Sequence, residues 1–174
     1  MVPPKILNIY IGFEAAETTA YHTLCHSIIE SASGPVRISP ICSKHFSAFF
    51  NRSRDPKQSN DFSFTRFLVP YLNQYDGHAI FMDCDMMLRT DIFKVFDEIS
   101  DQDAISVVQH DYTPSASVKY LNHKQYAYPR KNWSSFVVWN CGHISNQKLT
   151  PEFLEKATGL ELHRFTWLDD SEIG

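Results

Sequence analysis

Paired cysteines are missing: the 174 residues hold Cys25, Cys42, Cys84 and Cys141, with no Cys-x-x-Cys pair and no Cys/His spacing of a structural zinc site. They read as reduced, mostly buried thiols. Long apolar runs are missing too. No stretch approaches the roughly 18 residues a membrane span requires, and Met1-Val2-Pro3-Pro4-Lys5 leads into a strand-like run rather than a signal peptide. A cytoplasmic address is the expectation. Basic charge is not in excess either: 16 Lys plus Arg against 20 Asp plus Glu give a net charge of −4. That balance argues against nucleic acid or an anionic membrane as the main partner. There is no internal repeat, low-complexity tract or linker-like stretch, so one domain over residues 1–174 is expected. With 43% hydrophobic and 21% charged residues, disordered, collagen-like and coiled-coil classes drop out. A chain this long can bury roughly 70% of its unfolded surface, enough for a core without staples.

What is present is an alternation of strand-like and helix-like segments. Ile6-Leu7-Asn8-Ile9-Tyr10-Ile11 is a short apolar run that stops at Gly12, as a buried strand does. From Glu17 to about Ser31, Tyr21, Leu24, Cys25, Ile28 and Ile29 recur at helical spacing, and Gly34-Pro35 supplies a stop. Val36 to Ile41 predicts a second strand, residues 43–60 an exposed loop or broken helix, and Phe62 to Leu72 a helix limited by Pro70. His78 to Met82 predicts a central strand. Thr90 and Asp91 are placed to cap a helix carrying Ile92, Phe93, Val95, Phe96 and Ile99. Ala104 to Val108 and Ser135 to Trp139 are strand-like, and Thr150 caps a helix from Pro151 to Ala157. The alternation predicts an α/β fold, a Rossmann-like, mostly parallel central sheet flanked by helices. Ligands of such sheets collect at the carboxyl ends of strands, where Gly12-Phe13-Glu14 and Asp83-Cys84-Asp85 both fall.

The Asp83-Cys84-Asp85 triplet is the sharpest chemical feature. Carboxylates at i and i+2 after a buried strand can converge on one divalent cation, and hard oxygen ligands suit Mg²⁺ or Mn²⁺. Alone the pattern is weak, since D-x-D arises by chance in roughly every second chain of this length. Its context raises it, because two adjacent carboxylates at a strand end are costly to desolvate without a counter-charge. The bland alternative is that they cap the following turn. Arg66, a single cation within Phe64 to Leu72, requires an anionic partner. That partner is a nearby Asp on the bland reading, and a phosphate or the Asp pair itself on the functional one. Residues 119–133 mix Lys119, His123, Lys124, Arg130 and Lys131 with Tyr120, Tyr126, Tyr128 and Trp133. The mixture suits single strands of nucleic acid, a sugar-acceptor surface, or an ordinary solvated loop; the net charge disfavours the first. His163 beside Arg164 could help hold phosphate, although a helix-end or core histidine is the commoner use.

Five segments in order carry a resemblance: Ile9 to Glu14, Phe64 to Leu72, Ala79 to Met86, Tyr128 to Ser135, and Gly159 to Phe165. Together they resemble bacterial nucleotide-sugar glycosyltransferases, in particular glycosyltransferase family 8 and its relatives, over nearly the whole chain. The resemblance implies a GT-A fold that binds a nucleotide diphosphate sugar, UDP-linked, through the D-x-D motif and Mn²⁺ or Mg²⁺. By position it implies Gly12, Glu14 and Tyr21 around base and ribose, and Arg66 at the donor diphosphate or ordering the D-x-D loop. Asp83 would face the metal and the ribose or sugar, and Asp85 would be a metal ligand. Asn140-Cys141-Gly142 resembles the family's Asn-x-Gly element beside the donor sugar. Asp169, Asp170 and Asn140 are the candidates beside the reacting carbon.

The implied reaction transfers a sugar to a glycan or lipid-linked glycan with retention of anomeric configuration. Breaking the anomeric bond leaves negative charge on the diphosphate, which a bridging cation offsets. Relatives continue to a strand bearing a His that supplies a further metal ligand, whereas this sequence ends at Ser171-Glu172-Ile173-Gly174. The competing expectation is therefore a catalytically impaired sugar-nucleotide or glycan-binding module.

Overall fold

The computed structural model describes residues 1–56, 58–110, 130 and 133–174. Five strands form one sheet: β1 Leu7–Gly12, β2 Val36–Ile41, β3 His78–Met82, β4 Ile105–Val107 and β5 Phe136–Asn140, in the order β2-β1-β3-β5-β4. β1 pairs in parallel with β2 and β3, so that Ile11 lies level with Met82. The central position of β3 follows from its sequence, for Ala79, Ile80, Phe81 and Met82 are all buried on both faces. Helix α1 (Thr18–Ser31) makes the β1-to-β2 crossover and turns Leu24 and Ile28 inward.

The parallel expectation holds in the centre and fails at β5, which runs antiparallel to both β3 and β4. Strand direction is a property of pairing, which an apolar run does not encode. The reversal has a positional consequence: Phe136 lies beside Met82, and Asn140 lies beside His78 at the other end of β3. The helix expected over 62–72 is instead a 3₁₀ turn at Thr65–Leu68 followed by a single turn, α2 Val69–Leu72. Pro70 has no N–H to donate back to Arg66, so the hydrogen-bond ladder resets there. The segment after Asp91 is likewise a 3₁₀ helix, Ile92–Asp97. The Asp91 carboxylate, rather than Thr90, caps it by accepting from the Phe93 N–H at 3.1 Å.

Two short helices close one face, α3 Pro151–Lys156 and α4 Gly159–His163, capped by Thr150 and by a Thr158/Glu161 capping box. α4 and the turn after it reach the sheet through Phe67, whose ring meets His163 at 5.2 Å, Phe165 at 6.3 Å, Trp167 at 5.9 Å and, on β5, Trp139 at 6.4 Å. The fully buried Asn146 donates to the carbonyls of Ala104 (2.8 Å) and Asn140 (2.9 Å), tying the start of β4 to the end of β5. All four cysteines are free, three buried and Cys25 half-buried. No described helix is long and apolar enough to cross a membrane. Of the mixed basic and aromatic stretch 119–133, Arg130 and Trp133 are described; Lys119, Tyr120, His123, Lys124, Tyr126, Tyr128 and Lys131 lie outside the described residues.

Candidate functional site at the carboxyl ends of β1 and β3

Because β1 and β3 are parallel neighbours in this register, the sheet sets Gly12 and Asp83 side by side where the two strands end. The chain closes over that end with Phe62. A Cβ on Gly12 would lie 2.4–2.6 Å from the Phe62 ring, so only glycine lets the ring seat. Phe62 in turn forms one wall of an aromatic slot. The Arg66 guanidinium carbon lies 5.2 Å from the Phe62 ring centroid and 5.0 Å from that of Phe81.

The guanidinium in this slot is 6% exposed and is held by three acceptors. It lies 2.9 Å from Asp83 Oδ1, and it donates from Nη1 to the Ser134 carbonyl at 2.8 Å and from Nε to the Phe62 carbonyl at 3.3 Å. The anionic partner that Arg66 required is thus the first carboxylate of the Asp pair. Asp83 is fixed a second time by its backbone, whose N–H donates to the Ser135 carbonyl at 2.8 Å. Asp85, two residues on, is exposed. Between them Cys84 is fully buried, and its thiol donates to the Glu17 carboxylate at 3.1 Å. Burial, the Glu17 hydrogen bond and the surrounding carboxylates push the Cys84 thiol well above its ordinary pKa, which keeps it neutral.

Around this centre the other expected residues divide. Glu14 is close by, its Oε2 accepting from the Asp61 N–H at 2.9 Å, which pins the approach to Phe62. Tyr21 packs edge-on against Phe13 at 5.3 Å, and burial together with a Cys25 hydrogen bond raises its hydroxyl pKa. Asn140 and Gly142 are not brought to this end. Asn140 pairs with His78 and donates to the Asp101 and Asp103 carbonyls, each at 3.2 Å. Gly142 lies against the Tyr75–Gly77 turn that precedes β3.

Asp169 and Asp170 sit just before the stretch in which Ile173 bridges to Ile105 of β4. Asp169 caps the turn Asp170–Glu172. Asp170 is 93% exposed and pairs with Arg130, which also donates to the Arg164 carbonyl at 2.5 Å. His163 ends α4 with its ring 5.2 Å from Phe67 and its Nδ1 2.8 Å from the Ser134 hydroxyl, as a helix-end histidine would.

Sequence reasoning missed Glu17, Phe62, Ser134 and Ser135. The two serines carried one usable signal, a small polar pair directly before an apolar run. It points to this site only once β5 is known to begin beside the end of β3.

The chain superposes on the apo WbbM bifunctional glycosyltransferase with a TM-score of 0.63 at 13% identity, covering 99% of this chain and 39% of that one. The apo glycosyltransferase GlyE of Streptococcus pneumoniae TIGR4 gives 0.57 at 13% identity, over 97% of this chain and 44% of that one. The fold is a glycosyltransferase fold. The chain is also 45% identical over 172 residues to Protein CDI of Arabidopsis thaliana, a name that states no chemistry, covering 98% of this chain and 66% of that protein. It therefore spans just under two thirds of that relative and less than half of either solved glycosyltransferase chain. No protein-family model matches. Among the described residues, no group of three or more His, Cys, Asp and Glu side chains is arranged to hold a metal ion. At the turn after β3, Asp83 and Asp85 are the carboxylates that could face a cation.

Proposed function

We propose that the chain transfers a sugar from a nucleotide diphosphate sugar, UDP-linked, to a glycan or lipid-linked glycan acceptor. The observation that carries the reading is the Gly12–Phe62–Arg66–Asp83 cluster at the carboxyl ends of two parallel strands, in a fold shared with glycosyltransferases. Open α/β sheets bind ligands at this place. A glycine covered by an aromatic ring and a buried, paired cation give the end of the sheet a fixed shape before any ligand arrives.

The residues divide the work by burial. Arg66, locked in its aromatic slot, acts through Asp83: it holds the carboxylate and the turn after it, while its own charge is spent on that pair. Asp85, exposed at the same turn, is the oxygen ligand free to face a hard cation, with Asp83 the second. Two carboxylates fit Mn²⁺ or Mg²⁺ because both cations complete their shells with water and phosphate oxygens. Bound there, the cation would offset the charge that develops on the leaving diphosphate. Glu17 holds Cys84, and with it the spacing of the two carboxylates.

Transfer with retention places a carboxylate near the reacting carbon. Of the candidates, Asp170 is the one joined to this end by contacts, through Arg130, the Arg164 backbone, His163 and Ser134. Asn140 has no part in the proposal.

The test is calorimetric binding of UDP with and without Mn²⁺. The expected result is metal-dependent binding that Asp85→Ala weakens by at least about tenfold, since even outer-shell partners of a metal contribute roughly 10–100-fold. Equal binding by the variant would overturn the metal assignment, and no UDP binding at all would overturn the donor. Binding without hydrolysis or transfer of any UDP-sugar would leave a sugar-nucleotide-binding module.

A further inference from the structure

Residues 83–90, which follow β3, belong to no strand or helix, so their position has to be set by neighbouring elements. Asp83 is held by Arg66 and, through its N–H, by the Ser135 carbonyl at the start of β5. The rest of the segment is held by α1. The Cys84 thiol donates to Glu17 Oε2 at 3.1 Å, at the residue that caps the start of the helix. Ten residues further along, the Ser27 hydroxyl accepts from the Leu88 N–H at 3.0 Å and donates to the Leu24 carbonyl at 2.8 Å. One hydroxyl thus ties the segment to the helix backbone.

Between these two ties there is little slack. Ten residues of helix rise about 15 Å, and the four steps from Cys84 to Leu88 reach at most about 14 Å. Within that interval Met86 and Leu88 pack against the core, while Asp85 and Met87 are exposed. The Asp85 side chain makes no hydrogen bond or ion pair among the described residues, so its place is inherited from the ties at Cys84 and Leu88. The two carboxylates therefore rest on separate supports. Asp83 follows Arg66 and β5, and Asp85 follows α1.

We propose that Glu17 and Ser27 are positioning residues, through which α1 holds the turn at two points and sets Asp85 against Asp83 for a shared hard cation. The inference rests on the metal site proposed at Asp83 and Asp85. It adds that residues on a helix, acting through Cys84 and the Leu88 backbone, fix the distance between the two ligands.

The experiment measures the Mn²⁺ affinity of the whole chain by calorimetry and the bound ion by electron paramagnetic resonance, with thermal unfolding of the metal-free protein alongside. Glu17→Ala is expected to weaken Mn²⁺ at least about tenfold, the lower end of what partners of metal ligands contribute, and to change the spectrum of the ion still bound. Glu17→Gln keeps an oxygen for the thiol and should restore most of that affinity. Ser27→Ala should weaken the ion a few-fold, as loss of one neutral hydrogen bond does. Thr23→Ala should leave it unchanged, because the Thr23 hydroxyl bonds only to the Thr19 carbonyl of the same helix. Adding Cys84→Ala to Glu17→Ala should cost little more affinity than Glu17→Ala alone, since the two act as one unit. A wild-type chain that binds no Mn²⁺ would overturn this inference together with the metal site. Binding that Asp85→Ala weakens, and that both Glu17→Ala and Ser27→Ala leave at full strength, would keep the site and overturn the inference alone. Equal losses in Glu17→Gln and Glu17→Ala, or fully additive losses in the double variant, would also overturn it.

Discussion

At the scale of single residues, the Arg66–Asp83 pair is where stability and the proposed function meet. A buried pair is expensive to form, but removing one member strands the other in low dielectric. Arg66→Met should therefore destabilise the chain by about 3 kcal/mol, while Asp83→Asn, which keeps an acceptor oxygen for the guanidinium, should cost clearly less. Urea unfolding of the two variants checks this, and equal losses would show that the pair is not what holds Arg66. Gly12→Ala makes a separate claim. Its Cβ would sit 2.4 Å from the Phe62 ring, and forcing that overlap should cost about 1–3 kcal/mol, relieved when Phe62→Ala is added. The need of Arg66 for an anion and the position of Gly12 at a strand end were both legible in the sequence. The identity of their partners was not, because Phe62 is 50 positions from Gly12 and only the fold sets it there.

At the scale of elements, the three central strands and α1 were legible almost to the residue. An unbroken apolar run and a 3.6-residue period are local properties, and burial reinforces them. The 3₁₀ turns at Thr65–Leu68 and Ile92–Asp97 were read as α-helix because the apolar spacing is similar, and the hydrogen-bond pattern depends on neighbours. The second of these is held from outside itself. Asp91 Oδ1 accepts from Phe93 N–H at 3.1 Å and from Ser33 N–H at 3.0 Å, while the Phe93 ring fills the space a Cβ would take at Gly34. One carboxylate thus joins the 92–97 turn to the exit of α1. Asp91→Ala should cost about 1 kcal/mol, the usual worth of an N-cap, and Asp91→Asn much less, since the amide oxygen can accept the same bonds. Denaturant midpoints of the two variants would separate a cap from a charge effect, and equal losses would point to charge. The antiparallel direction of β5 is the element-scale fact that most altered the site, since it exchanged Asn140 and Gly142 for Ser134 and Ser135.

At the scale of the whole molecule, Phe67 joins the sheet, α4 and the aromatic 165–167 turn, so the chain should unfold as one cooperative unit whose pH response sums over its titrating groups. His78 is one of these. Its ring stands edge-on to Phe96 at 6.1 Å and its Nε2 has no partner among the described residues; burial lowers its pKa, and Asp101 opposes that in part. The unfolded chain protonates this ring near pH 6.5 and the folded chain only below that. In the interval the unfolded state binds more protons, so stability falls as pH drops through it. The carboxylates act lower down. Asp91 is depressed by its bonds to Ser33 and Phe93, and Glu172 by Ser145 and the Asp169 backbone, so their contribution is present above the ordinary carboxylate range and is lost as pH falls through their folded values. Denaturant midpoints taken from about pH 8 down to about pH 3 should therefore fall in two stages, one beginning near pH 6.5 and one below about pH 4. His78→Phe, which keeps a ring against Phe96 and has no nitrogen to protonate, should flatten the first stage and leave the second. If the wild-type midpoint stays level across the first stage, or if His78→Phe falls with it unchanged, the buried histidine is not the group that titrates.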